Sequence, residues 1–132
     1  PAGANLDRVQ IVKGWVDASG NLQEKIFNVV WSDPAKRKTD AKGKLPAVGD
    51  TVDVATASYK NSIGAPELKT VWSDPEFNRD QRAFYYVRVL EIPTPRWVLF
   101  DAVRYGAKLA PDTQVKSQER AYSSPIWYIP GK

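Results

Sequence analysis

The chain has 132 residues, a formal charge of +4, 42% apolar and 26% charged side chains, and no His, Cys or Met. That length corresponds to one domain with a sizeable core, and no apolar run approaches the ~18 residues of a membrane helix, so membrane insertion is not expected. Without Cys there is no disulfide framework, thiolate nucleophile or sulfur-type zinc site, and without His the commonest metal ligand and the usual general base near neutral pH are both missing.

The opening Pro1-Ala2-Gly3-Ala4 lacks an initiator and is rich in small residues. It is expected to be a linker (residues 1–5) that joins a single domain, 6–130, to a preceding part of a longer polypeptide. Leu6 to Val16 is rich in β-branched and aromatic residues and stops at Asp17-Ala18-Ser19-Gly20-Asn21, a cluster suited to a tight turn. Leu22 to Trp31 reads as the return strand of a hairpin, with Phe27, Val29 and Trp31 on one side and Ile26, Asn28 and Val30 on the other. The Ser32–Asp50 stretch is a polar connection, broken by Pro34, Gly43, Pro46 and Gly49. Within it, residues 36–44 hold Lys36, Arg37, Lys38, Lys42 and Lys44 against Asp40 alone, a net +4 equal to that of the whole chain, so the other residues sum to zero. Nucleic acid requires positive charge spread along a face, so this cluster reads as a solvated loop and no nucleic-acid partner is expected.

Thr51 to Tyr59 alternates weakly and Glu67 to Trp72 follows a Gly-Ala-Pro bend; both read as strands. Phe84 to Ile92 is the strongest strand pattern, with Phe84, Tyr86, Arg88 and Leu90 on one face and Tyr85, Val87, Val89 and Glu91 on the other. From Thr94 to Gly106 the period changes to three and four residues, predicting a short helix with Thr94 as cap, Pro95 in its first turn and Gly106 at its end. Ile126 to Ile129, between Pro125 and Pro130, suits an edge or terminal strand. Together these elements predict an all-β fold, an immunoglobulin-like antiparallel β-sandwich with one short helix in a connection, an open barrel being the main alternative.

Val-Trp-Ser-Asp-Pro occurs twice, at 30–34 and 71–75. It reads as a repeated local solution, a strand-ending Trp followed by an Asp that caps freed amides, rather than a duplication. Asp74, Glu76, Asn78 and Asp80 alternate as in a calcium loop, but Arg79 and Tyr85 stand where an EF-hand needs Gly and Glu, so Asp74 is expected to cap a turn at Pro75. Trp15, Trp31, Trp72 and Trp127 lie in or beside predicted strands and are expected to fill the core. Were two or three such rings exposed on one face, a glycan-binding module would be the alternative. No phosphate loop, nucleophile elbow or distinguished carboxylate pair appears, and no catalytic, cofactor-binding or metal residue is assigned.

Three stretches, DRVQIVKGW (7–15), GAPELKTVWSDPEFNRDQRAFYYVRVLEIPTPRW (64–97) and QERAYSSPIWY (118–128), resemble the C-terminal part of a family of large bacterial proteins of unknown function. The closing Ser-Ser-Pro-Ile-Trp also resembles a strand found after PHP-type (polymerase-and-histidinol-phosphatase) metallohydrolase domains. The resemblance implies an N-terminal, metal-dependent, PHP-like phosphoesterase region in the parent, usually exported to the periplasm or beyond. The divalent metal belongs to that region; with no His, none of its ligands carry over here. The expectation is a non-catalytic accessory sandwich packing on the N-terminal region of its own chain, with Pro95, Arg96 and Trp97 as the candidate interface.

Overall fold

A computed structural model describes residues 3–131. Strands β1 (Leu6–Val16) and β2 (Leu22–Trp31) form the expected hairpin, paired from Arg8–Trp31 to Val16–Leu22. The turn closes as its residues dictate: Gly20 takes a φ of 84°, and one Asp17 carboxylate oxygen accepts the Ser19 and Asn21 amides at 2.9 Å each. Those bonds, the Asn21 amide foremost, hold the Asp17 carboxyl below its ordinary value. Val9 faces Val30 while the next residue, Gln10, faces Asn28, so Val29 is the extra residue of a β-bulge. The bulge moves Val30 onto the face of Phe27 and corrects the simple alternation read from the sequence.

The central strand β3 (Ala83–Pro95) pairs antiparallel with β1 along one side. Along its other side it pairs with β4 (Lys116–Tyr122) and β5 (Ile126–Tyr128). The order is β2-β1-β3-β4, with β5 also beside β3. The fold class is as expected, antiparallel β with one short helix, arranged as an open sheet. Its opposing layer is irregular chain: the later part of the connection from Ser32 to Arg82 lies against one face, where Trp72 packs on Phe27 at 5.1 Å between ring centres and Phe77 on Tyr128 at 4.8 Å.

Four expectations are corrected. Thr51–Tyr59 is a turn joined only by an Asp53–Ser58 bridge, with Ala57 at a φ of 49°. Asp50 and Asp53 there bond nearby amides instead of leaving them for a ladder. Glu67–Trp72 is extended coil with no partner strand. The helix α1 runs Trp97–Tyr105, with Arg96 at its N-cap and no side-chain cap, because β3 continues through Thr94 and Pro95 to pair with Ser117 and Lys116. Proline is tolerated there beside a register shift between Leu90 and Pro93; at the other end of α1, Gly106 takes the left-handed cap as expected. Finally, no Trp belongs to the buried set, which is built from Val12, Leu45, Leu90, Ile92, Leu99 and small Ala residues. Trp15, Trp31 and Trp72 are half-buried, whereas Trp97 and Trp127 are exposed. A large ring with one N–H suits a border between layers, as when Trp31 Nε1 donates to the Arg37 carbonyl at 2.7 Å.

Candidate functional site

On the covered face, strand register sets Lys13 directly between Lys25 of β2 and Tyr85 of β3. Two adjacent ammonium groups require carboxylates, and the Asp74–Glu76 turn supplies them. Lys13 Nζ lies 2.6 Å from Asp74 Oδ2 and donates to the Glu76 carbonyl at 2.8 Å. It also stands 5.3 Å over the Trp15 ring and 5.8 Å over that of Tyr85. Tyr85 donates its hydroxyl to the same Asp74 oxygen at 2.8 Å, and Lys25 pairs with the Glu76 carboxylate. Burial would raise the Asp74 carboxyl, but the Lys13 ammonium, the Glu76 amide and the Tyr85 hydroxyl outweigh it and hold it below its ordinary value. Burial first, then the hydrogen bond to Asp74 and the Asp74 charge, push Tyr85 above the usual phenol range.

Every polar partner in this cluster is engaged, which makes it a clamp between sheet and connection. Asp74 caps the Glu76 amide at 2.8 Å as expected of a turn at Pro75. Asn78 likewise turns on the Asp80 amide, and among the described residues no group of three or more acidic side chains converges as a metal site.

A second clamp corrects the reading of the basic loop. Lys36, Lys38, Lys42 and Lys44 are exposed, but Arg37 is buried. Its guanidinium meets Asp7 at 2.6 Å, the Ser32 hydroxyl at 2.9 Å and the Pro46 carbonyl at 2.8 Å. Asp7 is the bulged residue between the Leu6–Glu91 and Arg8–Leu90 pairs and is fully buried. Gln118 of β4 donates to its second oxygen at 2.9 Å, and the buried Arg8 Nε, which makes no hydrogen bond, sits 3.3 Å from it. The two Val-Trp-Ser-Asp-Pro copies share a turn in which the Asp carbonyl accepts the amide three residues on, from Lys36 in one and Phe77 in the other. Asp33, at a φ of 52°, accepts the Arg37 amide on its carbonyl as well, whereas Asp74 adds its side chain, which accepts the Glu76 amide.

On the opposite face the connection reaches only the far end, where Asn28 Nδ2 donates to the Gly43 carbonyl at 3.3 Å and Trp31 Nε1 to that of Arg37; among the described residues the row at Gly14 has no such polar clamp. Register aligns Glu24, Gly14, Phe84 and Trp127 in one row across four strands. Gly14 has no Cβ, and one placed there would collide with the tip of the Phe84 ring, so that ring lies directly over the glycine. The neighbouring row is Ile26, Val12 and Tyr86; the Phe84 and Tyr86 planes lie within 8° at 6.4 Å, and Trp127 tilts against Phe84 at 5.2 Å. Gln10, held between Asn28 and Arg88 by bonds of 2.8 Å each, adds a polar row beyond. Beside the Phe84 row, Val16, Leu22 and Arg82 help enclose a groove of about 670 Å³, with Trp127 at its rim 61% exposed. Among the described residues neither Glu24 nor Arg82 has a side-chain hydrogen bond or ion pair.

Of the three interface residues expected from sequence, Pro95 is buried in the last β3 pair and Arg96 is half-buried, its amide bonded to the Val115 carbonyl at 2.8 Å. Trp97 is 70% exposed and shares α1 with the exposed Phe100, Val103 and Tyr105, while Leu99 and Ala102 are buried. Sequence reasoning did not find the groove. Its one signal was Gly14 interrupting a strand pattern, the usual mark of a close approach from a neighbouring strand.

Among the comparisons with known proteins, no curated protein and no solved structure matches the chain. A family model does, over residues 1–130, and on that match the chain belongs to the family described as "Protein of unknown function (DUF3604)".

Proposed function

We propose that this chain is a non-catalytic accessory β domain of a larger exported bacterial protein, packing on a PHP-like, metal-dependent phosphoesterase region of the same polypeptide. The observation that carries the reading is the outer side of α1: Trp97, Phe100, Val103 and Tyr105 are all exposed on a nine-residue helix, with the exposed Asp101 and Arg104 among them. Aromatic side chains held in this way on a rigid element are typical anchors of an interface between domains. Two further features support it. The sequence has no imidazole or thiol, and the two buried ionic clusters have their charged atoms turned on one another rather than toward an open position. The longest of the three resembling stretches, 64–97, ends at Trp97 itself. The divalent metal of such a parent would be held by its other region.

The test is Trp97→Asp combined with Phe100→Asp in the full-length gene product. Limited proteolysis should cut between the two regions at least tenfold faster, with the fluorescence spectrum of the remaining Trp residues unchanged. Equal cleavage rates in variant and parent protein would remove the docking role.

A further inference from the structure

We propose that the groove on the sheet face opposite Lys13 is a binding site for a neutral saccharide, with Trp127 as the stacking platform and Glu24 and Arg82 as the groups that hold hydroxyls. This goes beyond the docking role of α1, because the groove is built from β1, β2, β3 and β5 and shares no residue with that helix.

Three features of the groove select the ligand. The floor is apolar and flat: Gly14 removes a side chain from the middle of the row and the Phe84 ring fills the space above it. The ends are charged and unpaired among the described residues, with the Glu24 carboxylate on one side and the Arg82 guanidinium also lining the groove. The volume, about 670 Å³, lies in the range of small-molecule sites, roughly 300–1,000 Å³. A fatty chain would match the floor but strip water from Glu24 and Arg82 without replacing its hydrogen bonds. A docked protein surface needs about 800 Å² on each partner, more than a groove of this size offers. A pyranose matches both parts at once. Its C–H face lies on an indole, its neighbouring hydroxyls donate to a carboxylate, and its ring and hydroxyl oxygens accept from a guanidinium fork. The opposite charges of Glu24 and Arg82 balance, which favours a neutral sugar over an acidic or amino sugar. Trp127 is already braced by Phe84 at 5.2 Å, so little ordering is left for binding to impose.

Titration calorimetry with short gluco-, manno- and galacto-oligosaccharides, followed in parallel by Trp fluorescence, tests the site. At least one neutral series should bind. Trp127→Ala should weaken it tenfold or more, and Glu24→Gln and Arg82→Gln several-fold each. Gly14→Ala, which drives the Phe84 ring out of its seat, should weaken binding with all three contact residues intact. Trp97→Ala should leave affinity unchanged, so failure here and failure of the α1 docking role are separate results. Thermal melts of each variant identify any that do not fold, in which case Trp127→Phe, with a smaller platform and an intermediate loss, replaces Trp127→Ala. The proposal is overturned by the absence of neutral-saccharide binding to the folded protein. Binding insensitive to Trp127, a preference for acidic sugars or fatty acids, or protection of the groove by the rest of the full-length chain would overturn it equally.

Discussion

Asp74→Asn is the sharpest test of how the irregular layer is fastened to the sheet. The substitution keeps size and shape, and it keeps an oxygen for the Glu76 amide, but it leaves the Lys13 ammonium without a counter-charge. The Lys13 and Asp74 side chains are 3% and 6% exposed, so water cannot take the place of the lost carboxylate. Removing one partner of a buried pair costs about 3–5 kcal/mol, a large share of the ~5–15 kcal/mol that stabilises an ordinary domain. At roughly 3–5 °C per kcal/mol for a chain of this size, the melting temperature should fall by about 10–20 °C. Urea denaturation followed by Trp emission measures it directly, since the Trp15 ring lies 5.3 Å from Lys13 Nζ. Adding Lys13→Met to Asp74→Asn removes the stranded charge and should recover more than half of the loss. Glu76→Gln is the internal control: its pair with Lys25 is about half exposed, and its contact with Lys13 uses the backbone carbonyl. That control should cost less than ~1 kcal/mol. A loss below ~1 kcal/mol for Asp74→Asn, or strictly additive effects in the double variant, would refute the clamp.

Arg37→Met should destabilise by about 3 kcal/mol or more in the same urea assay, because it strands the fully buried Asp7 carboxylate, whereas Lys42→Met in the same loop should stay within ~0.5 kcal/mol. Gly64→Ala should be among the most damaging single changes outside the clamps. Its φ is +75°, and a Cβ would lie 2.6 Å from Ile92 Cγ2, 2.8 Å from Asn5 Cβ and 3.0 Å from the Leu6 carbonyl, so circular dichroism melts should show a fall of several degrees. Stability should be flat near neutral pH, where no His or Cys titrates, and decline at both ends. Asp74, Asp50 and Asp53 are held below their ordinary values in the fold, so the unfolded chain takes up protons first; their contribution is complete above about pH 4 and is lost as pH falls through the folded values. Tyr85 has the opposite sign: its contribution is complete below the ordinary 10.0 and is lost as pH rises beyond it, a loss Asp74→Asn should reduce.

The parts of the fold legible in sequence were those decided by neighbours along the chain. Strands β1 and β2 were read to their end residues, because the β-branched runs flank a turn whose Asp17 and Gly20 leave the backbone little choice. Gly106 marked the helix end for the same reason. The parts that were not legible depend on partners far away in sequence. Thr94 and Pro95 look like helix-start residues, yet they extend β3 because Ser117 and Lys116 lie opposite them. Strand β4 (KSQERAY) carries almost no apolar pattern and exists only because β3 offers it an edge. Arg37 looks like its solvated Lys neighbours until the bulge at Asp7 places a buried carboxylate within its reach. Trp97, singled out from the sequence, is indeed on the surface, but the groove was invisible because it is assembled from a glycine, a glutamate and two aromatics on four strands.

The two faces of the sheet were therefore solved by different chemistry. Lys13 and Lys25 on one face cannot be left against a hydrocarbon layer, so the layer that covers them has to bring carboxylates, and a loop with Asp74 and Glu76 does so more readily than a second sheet would. A regular strand alternates its side chains and fixes their spacing, whereas a turn aims one carboxylate at an ammonium and its neighbouring carbonyl at the same ammonium, as the residues from Asp74 to Glu76 do. The other face carries no such buried charge on its central rows. Phe84, Tyr86 and Tyr122 line it with their own rings, and Val12 at its centre is buried. A face that is closed by its own side chains at the centre and opens at Gly14 has no structural requirement for a second layer there, which leaves Trp127 and its row available for contact with something else.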